Sequence, residues 1–232
     1  MSATVHLGRW QDVLADVECD AVITDPPYGY RTHAGDESAR SIRTDNAYVT
    51  AIDFPCWTRD DVHELCGSWL PRTRRWLVAM TSHDLIPHWE SAIRDGGWYA
   101  FAPLAAIVSG MGVRQLGDGP ASWVIHIVVA RRRAKRLGKS DDKIWRSLPG
   151  GYAGPATADM AGGRGKPRWL LDALVRDYSD HGHLICDPFA GWGSTLVAAR
   201  NAGRRAIGSE MDPAAFARAQ AAIAGDMTAY AR

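Results

Sequence analysis

The sequence lacks the cysteine patterns of a disulfide framework or a zinc site. Its 232 residues include four cysteines, with no Cys-x-x-Cys spacing and no histidine partner at metal-ligand distance. We therefore expect reduced intracellular thiols, packed in the core, and no bound metal. The cysteines are Cys19, Cys56, Cys66 and Cys186. His181 and His183, one residue apart before an apolar run, are interpreted as turn residues.

Long apolar runs and an excess of one charge are also missing. No apolar run approaches the roughly 18 residues that a membrane span needs, and the first residues, MSATVHLGRWQD, do not form a targeting signal. The sequence predicts a soluble, cytoplasmic protein that does not act at a membrane. Because the net charge is only +1, a contact with nucleic acid must come from a local basic patch.

The remaining composition and the order of patterns predict one α/β domain over residues 1–232. Hydrophobic residues make up 46% and charged residues 23% of the chain, which is ordinary for a globular core. Short β-branched runs alternate with helix-period segments, the pattern of a mostly parallel sheet covered on both faces. The predicted strands are 4–8, 21–24, 76–81, 99–108, 122–130, 184–187 and 205–210. Residues 29–54 are interpreted as a mobile loop, and residues 131–165 as an exposed basic turn with a flexible connector.

The first informative stretch is AVITDPPYGY, at residues 21–30. An apolar strand ends there in an acid, two prolines and a tyrosine. Each proline fixes its own φ and restrains the residue before it to extended geometry. The stretch alone is compatible with a simple strand stop, in which Asp25 caps a turn and Tyr28 is half-buried.

The second informative stretch is HLICDPFAGWGSTLVAARNAGRRAIGSEMDP, at residues 183–213. It predicts a strand, a glycine-bearing turn, a helix start, and a second strand that ends in an acid. The absence of lysine from AGWGST argues against a nucleoside triphosphatase P-loop, and only two glycines of a dinucleotide fingerprint are present. Glu210 follows Asp187 by about 20 residues, the spacing at which an acid holds ribose hydroxyls in dinucleotide-type folds.

Together, DPPY and DPFAGWGST resemble the S-adenosylmethionine-dependent amino-methyltransferases of DNA, which act on adenine N6 or cytosine N4. The catalytic motif precedes the cofactor motif, as in the permuted beta class of that family. VHLGRWQDVLADVECDAVITDPPY and GKPRWLLDALVRDYSDHGHLICDPFAGWGST extend the similarity over most of the chain. The resemblance implies a Rossmann-like methyltransferase fold with a seven-stranded, mostly parallel sheet. SWVIHIVVA, residues 122–130, would be its one antiparallel strand.

The resemblance implies a catalytic role for Asp25, Pro26, Pro27 and Tyr28. An exocyclic amine is a poor nucleophile because its lone pair is delocalised into the ring. Asp25 would accept one amine hydrogen and the backbone carbonyl of Pro26 the other, while the rigid prolines aim both groups in advance. Tyr28 would stack on the flipped base, which offsets a large part of the cost of flipping.

S-adenosylmethionine is the implied cofactor. Asp187 and Phe189 would border its methionine and adenine portions, Glu210 would hold its ribose, and Ser194 and Thr195 would meet its carboxylate at a helix N-terminus. The implied cofactor-binding residues are Asp187, Phe189, Gly191, Gly193, Ser194, Thr195, Glu210 and, as a further candidate for the carboxylate on the resemblance alone, Lys166.

Double-stranded DNA is the implied partner, and a homodimer and a restriction partner are further expectations. The basic run RRRAKR follows the reversed strand and predicts phosphate contacts, although such a run is often only a solvated turn. The candidate DNA-binding residues are Arg131, Arg132, Arg133, Lys135, Arg136 and Arg31, with His33, Arg40 and Arg43 as further candidates. The preferred substrate is adenine N6, because serine is more usual than aspartate before PPY in cytosine N4 enzymes. Cytosine N4, RNA, a protein glutamine and a non-catalytic relic stay open as alternatives.

Overall fold

Strands and helices alternate along the chain as the sequence pattern predicts. The computed structural model describes residues 1–33, 55–110, 123–132, 147–157 and 165–225. Its strands are β1 (Ala3–Leu7), β2 (Cys19–Thr24), β3 (Thr73–Thr81), β4 (Trp98–Ala100), β5 (Leu104–Ser109), β6 (Val124–Arg132), β7 (Tyr152–Pro155), β8 (Leu184–Asp187) and β9 (Arg205–Glu210). Its helices are α1 (Trp10–Val13), α2 (Arg59–Arg72), α3 (Ile86–Asp95), α4 (Arg168–Tyr178), α5 (Ser194–Asn201) and α6 (Pro213–Ala224), with a 3-10 turn at His83–Leu85.

The described strands join one sheet. Its order is β1-β9-β8-β2-β3-β6-β5-β7, and β4 also pairs with β6. β6 is antiparallel to β3, β4 and β5, whereas the other pairings are parallel. The prediction that residues 122–130 contain the reversed strand is confirmed, as is the fold class.

The strand count differs from the predicted seven for two reasons. The predicted strand 99–108 is interrupted, so that Ala100 of β4 faces Ala130 and Leu104 of β5 faces Ile127 on the same partner strand. Pro103 lies in the gap and has no N–H to donate to a ladder. The second reason is β7, which pairs with β5 inside the segment interpreted as a flexible connector.

Side-chain alternation along the central strands supplies a core on each face of the sheet. Ala21 and Ile23 of β2 pack into the cluster that contains the buried faces of α4 and α5, and Val22 packs into the cluster that contains α2 and α3. Trp69 and Trp89 are fully buried in the second cluster. A helix–sheet–helix sandwich of this kind exposes the ends of the strands, where loops can carry a site.

The helices begin and end at capping residues, prolines and glycines. Thr58 opens α2 in a capping box, in which its N–H and its hydroxyl donate to Asp61 Oδ2 at 2.8 and 2.6 Å. Pro87 lies in the first turn of α3, and Pro167 directly precedes α4. Gly225 ends α6 with a φ of 95°, a left-handed conformation that favours glycine.

The cysteines follow the sequence prediction in part. Cys19, Cys66 and Cys186 are free and buried, but Cys56 is exposed, so its predicted place in the core is wrong. Residue 56 lies before α2 begins and therefore outside the packed face of that helix. Within the described ranges, no helix is long and apolar enough to cross a membrane, and no three His, Cys, Asp or Glu side chains form a group that could hold a metal ion.

The reversed strand gives the sheet two different edges. β2, β3, β8 and β9 end at the same edge, which we call the carboxyl edge, while β6 begins there and ends at the opposite, amino edge. Residues that follow the parallel strands therefore gather at the carboxyl edge. Residues that follow β6 leave from the amino edge.

Gly208 of β9 offers a test of this packing. A Cβ at Gly208 would lie 2.7 Å from the carbonyl oxygen of Asp187 on the neighbouring strand, so Gly208→Ala should lower the free energy of unfolding by about 2 kcal/mol. A Cβ at Gly67, inside α2, would meet no atom within 4 Å. Gly67→Ala should therefore raise the free energy of unfolding by about 0.5–1 kcal/mol. Urea unfolding followed by circular dichroism measures both; equal effects would contradict the close strand approach.

Candidate active site

The two sequence motifs meet at the carboxyl edge because β2 and β8 are neighbours. Val22 is in register with Cys186, so the ends of both strands reach the same level. There the Thr24 hydroxyl donates to the Asp187 carboxylate at 2.7 Å, across 163 residues of sequence. Asp25, the residue after Thr24, therefore starts the DPPY stretch beside the turn that follows β8.

Asp187 organises the turn that follows β8. Its side chain is 1% exposed and accepts hydrogen bonds from the hydroxyls of Thr24 and Thr195 and from the backbone N–H of Phe189, the last at 3.1 Å. Burial raises the pKa of Asp187 to about 6, although these donors act in the opposite direction. Thr195 is itself buried, so its hydroxyl supports Asp187 inside the protein.

The turn itself is shaped by two glycines and Glu210. Gly191 and Gly193 have φ values of 52° and 80°, in the left-handed region. The Gly191 N–H donates to Glu210 Oε2 at 2.9 Å, and the Asp212 N–H donates to Oε1 at 2.8 Å. A Cβ at Gly191 would meet no atom within 4 Å, so open space lies directly beside this backbone.

These features fit a ligand with hydroxyls and a carboxylate. Each Glu210 oxygen has a further lone pair for a ribose hydroxyl. α5 begins at Ser194 without a side-chain cap, so its first backbone N–H groups are available to an anion. Ser194 is half-buried, and the Phe189 ring packs edge-on against Trp57 at 5.2 Å between centroids. The predicted contacts with the cofactor stay predictions for all seven residues at this turn: Asp187, Phe189, Gly191, Gly193, Ser194, Thr195 and Glu210.

The two carboxylate oxygens of Asp25 accept hydrogen bonds from different side chains. The Tyr28 hydroxyl donates to Oδ1 at 3.1 Å, and Lys166 Nζ donates to Oδ2 at 2.5 Å. Lys166 Nζ also lies 4.9 Å from the centroid of the Tyr28 ring. The side chains of Lys166 and Asp25 are only 17% and 25% exposed. The structure thus brings Lys166, predicted as a cofactor ligand, into contact with the catalytic motif.

The protonation of this cluster follows from its contacts. Burial by itself would lower the pKa of Lys166, but the Asp25 carboxylate and Tyr28 more than compensate and raise it above its usual range. Burial, and then the Asp25 carboxylate, raise the pKa of Tyr28. At neutral pH, Lys166 is therefore a cation and Tyr28 a neutral hydroxyl donor.

The polypeptide after the prolines is held by residues that the sequence analysis did not single out. The Gly29 N–H donates to Ser82 Oγ at 2.9 Å, and the Arg31 N–H donates to Asp84 Oδ2 at 3.1 Å. Ser82 and Asp84 directly follow β3, and their place after a parallel strand was the signal that could have identified them. Trp57 adds a backbone hydrogen bond to Tyr28 and packs against Phe189, so it connects the two motifs.

The predicted basic residues do not all lie at this edge. Arg31 is exposed beside the catalytic turn. Because β6 is reversed, Arg131 and Arg132 lie at the amino edge, where Arg131 packs over Trp76 and Arg132 donates to the Pro71 carbonyl at 3.1 Å. This position does not support their predicted contact with DNA, which stays a prediction. Arg40, Arg43, Arg133, Lys135 and Arg136 lie outside the described residues.

Comparison with solved protein structures identifies the fold. M1.HpyAVI in complex with S-adenosylmethionine is similar over 95% of this chain and 98% of its own, with 15% identity and a TM-score of 0.65. TTHA0409 of Thermus thermophilus, also complexed with S-adenosylmethionine, covers 97% and 94%, with 20% identity and a TM-score of 0.64. PvuII DNA methyltransferase, which is cytosine-N4-specific, covers 99% and 92%, with 13% identity and a TM-score of 0.63. The fold is therefore that of the Rossmann-like methyltransferases.

Part of the sequence is also similar to known methylases. Residues 135–221 match the N6_N4_Mtase family model, described as DNA methylase. The methylase-type protein YubD of Escherichia coli (strain K12) is 46% identical over 46 residues, which cover 20% of each protein. The family model matches less than half of the chain, and together with the fold it confirms the predicted resemblance to the S-adenosylmethionine-dependent DNA amino-methyltransferases. S-adenosylmethionine, the predicted cofactor, is the ligand in the M1.HpyAVI and TTHA0409 complexes.

The raised pKa of Asp187 makes stability depend on pH. Because the folded pKa of about 6 exceeds the usual 3.8, the folded protein binds this proton more tightly, and the stability contributed by Asp187 falls as pH rises through that interval. Between about pH 5 and 7.5 the wild type should lose about 1 kcal/mol relative to Asp187→Asn, which does not ionise. Urea unfolding of both proteins at the two pH values measures the change.

Asp172→Asn is the matched control for this prediction. Asp172 is a half-exposed carboxylate that pairs with Arg168 on the surface of α4. Its variant should differ from wild type by nearly the same amount at both pH values. An equally constant difference for Asp187→Asn would contradict the raised pKa of Asp187.

Proposed function

We propose that the protein is a DNA methyltransferase that transfers a methyl group from S-adenosylmethionine to an exocyclic amine of a flipped base, with adenine N6 preferred. The observation that carries the proposal is the pairing of β2 with β8. It sets Asp25-Pro26-Pro27-Tyr28 beside the turn 187–193, with the Thr24–Asp187 hydrogen bond between the motifs. A donor site and an acceptor site for one methyl group need this proximity.

Asp25 and Pro26 activate the amine in this proposal. The carboxylate and the Pro26 carbonyl each accept one amine hydrogen, which favours a pyramidal nitrogen with an available lone pair. The prolines hold both acceptors in place before the base arrives, so little reorganisation is needed. Tyr28, neutral because its pKa is raised, offers its ring for stacking.

Glu210 and the turn residues would hold the cofactor. Glu210 would bind the ribose hydroxyls, Gly191 and Gly193 would allow close backbone approach, and the start of α5 at Ser194 would meet the carboxylate. Bound there, S-adenosylmethionine would supply a methyl group on a cationic sulfur. The amine nitrogen would gain the methyl carbon and lose one proton to solvent, while the sulfur would keep the electrons of the broken C–S bond. Phe189, held by Trp57, would border the adenine.

DNA would approach the carboxyl edge, where the target base can reach Asp25. Arg31, exposed next to the catalytic turn, is our candidate for a phosphate contact. The adenine preference comes from Asp25 in the position where cytosine N4 enzymes more often have serine. Cytosine N4 is the second candidate, because PvuII DNA methyltransferase, cytosine-N4-specific, has a similar fold. A homodimer and a restriction partner stay predictions.

The identity of the methylated base follows from one experiment. Purified protein is incubated with labelled cofactor and with plasmid DNA, RNA or bulk protein in separate reactions, and the DNA is digested to nucleosides for mass spectrometry. We expect label in DNA as N6-methyldeoxyadenosine. N4-methyldeoxycytidine without the adenine product would refute the base preference. Label only in RNA or protein would refute DNA as the substrate.

Asp25→Ala tests the catalytic assignment. Loss of the acceptor should lower methyl transfer to DNA by at least about 100-fold, the usual cost of removing a group that acts in the transition state. Cofactor affinity, measured by calorimetry, should stay near that of wild type, because Asp25 does not belong to the turn 187–193. Asp172→Ala, which removes an exposed carboxylate from α4, should keep both properties. Full activity of Asp25→Ala would exclude the mechanism.

A further inference from the structure

Lys166 makes a contact that the proposed chemistry does not use. An ammonium held on Asp25 Oδ2 at 2.5 Å and over the Tyr28 ring at 4.9 Å lies at the position where a target amine is also expected to bind. The pair is largely shielded, because the two charged side chains are 17% and 25% exposed. Either the amine displaces Lys166, or it binds Asp25 while Lys166 stays.

The two hydrogen bonds on Asp25 differ enough to decide between these choices. Both bonds are made to a carboxylate, but only the Lys166 bond also has a charged donor, and it is short for its type. The Tyr28 hydroxyl bond to Oδ1, at 3.1 Å, is long for a hydroxyl on a carboxylate. An incoming neutral amine therefore replaces the Tyr28 hydroxyl more readily than the Lys166 ammonium.

The connection of Lys166 to the fold supports a fixed rather than a displaced side chain. Lys166 precedes Pro167, which restrains it to extended backbone and directly precedes α4. The buried face of α4 packs in the same core as β2, whose last residue precedes Asp25. The ammonium is thus held from one side by packed secondary structure and from the other by the carboxylate.

We propose that Lys166 is a positioning residue for the methyl transfer: it fixes Asp25 through Oδ2, so that Oδ1 accepts the amine hydrogen when the Tyr28 hydroxyl withdraws. The proposal rests on the proposed function and assigns the two carboxylate oxygens to different tasks. It also replaces the prediction that Lys166 binds the methionine carboxylate. The two assignments differ in what a lysine substitution does to cofactor affinity.

Lys166→Met, which keeps much of the side-chain volume without the charge, tests the proposal. We expect kcat at saturating DNA and cofactor to fall by about 100-fold, the effect of misplacing a reacting group by about 1 Å. The cofactor Kd, measured by calorimetry without DNA, should stay within about twofold of wild type. Arg168→Met removes a cation two residues further on, which pairs with Asp172 on the surface, and should leave kcat and the cofactor Kd unchanged.

Tyr28→Phe is the comparison on the other oxygen. It removes the hydroxyl bond to Oδ1, which the amine replaces in the proposed step, and keeps the ring, so kcat should stay within about threefold of wild type, unlike in Lys166→Met. If Lys166→Met is not folded by circular dichroism, Lys166→Gln, which keeps an N–H donor without charge, replaces it and should lower kcat by at least about tenfold.

The alternatives give distinct results. A kcat equal to or above wild type in Lys166→Met means that the amine takes the place of the ammonium, and the proposal fails. A weakened cofactor Kd with kcat retained at saturating cofactor assigns Lys166 to the methionine carboxylate, and the proposal fails again. A wild-type protein without methyl transfer to DNA refutes the proposed function instead, so the two failures are distinguishable.

Discussion

The hydrogen bond from Thr24 to Asp187 joins the two halves of the site, and the rest of the arrangement depends on it. It can form because two strands that are far apart in sequence are neighbours in the sheet and end at the same level. The bond is buried, so its loss would leave a carboxylate without one of its donors in a place that water does not reach. The turn that begins at Asp25 and the turn 187–193 therefore share one support.

Much of this architecture could be predicted from local sequence. The apolar strands, the capping pair Thr58 and Asp61 and the reversed strand each have signals within a few residues. DPPY and DPFAGWGST are distinctive enough to indicate a resemblance to the DNA amino-methyltransferases. Parallel strands end at one edge, so the meeting of Asp25 and Asp187 followed from the fold class. The interruption of the predicted strand 99–108 at Pro103 was missed, although the proline is present in the sequence.

The contacts that depend on the relative placement of distant elements could not be predicted. Lys166 lies 141 residues from Asp25, and only the direction in which the chain enters α4 brings its ammonium to that carboxylate. Ser82 and Asp84 support the catalytic turn because β3 is the neighbour of β2, a relation that no local pattern reveals. Arg131 and Arg132 illustrate the opposite case, since a basic run that suggested DNA contact begins at the far end of a reversed strand.

The direction of β6 also limits where such an enzyme can acquire new target specificity. The chain leaves β6 at Arg132, at the amino edge. It enters β7 at Tyr152, which is in register with Ala106 and, through it, with Ile125, level with the end of β3 at the carboxyl edge. A segment inserted between them therefore has only one of its two ends on the side of Asp25. The connection from Ser109 to Val124 starts and ends at the carboxyl edge, so engineered or evolved segments that are meant to contact the bases next to the target are better grafted there.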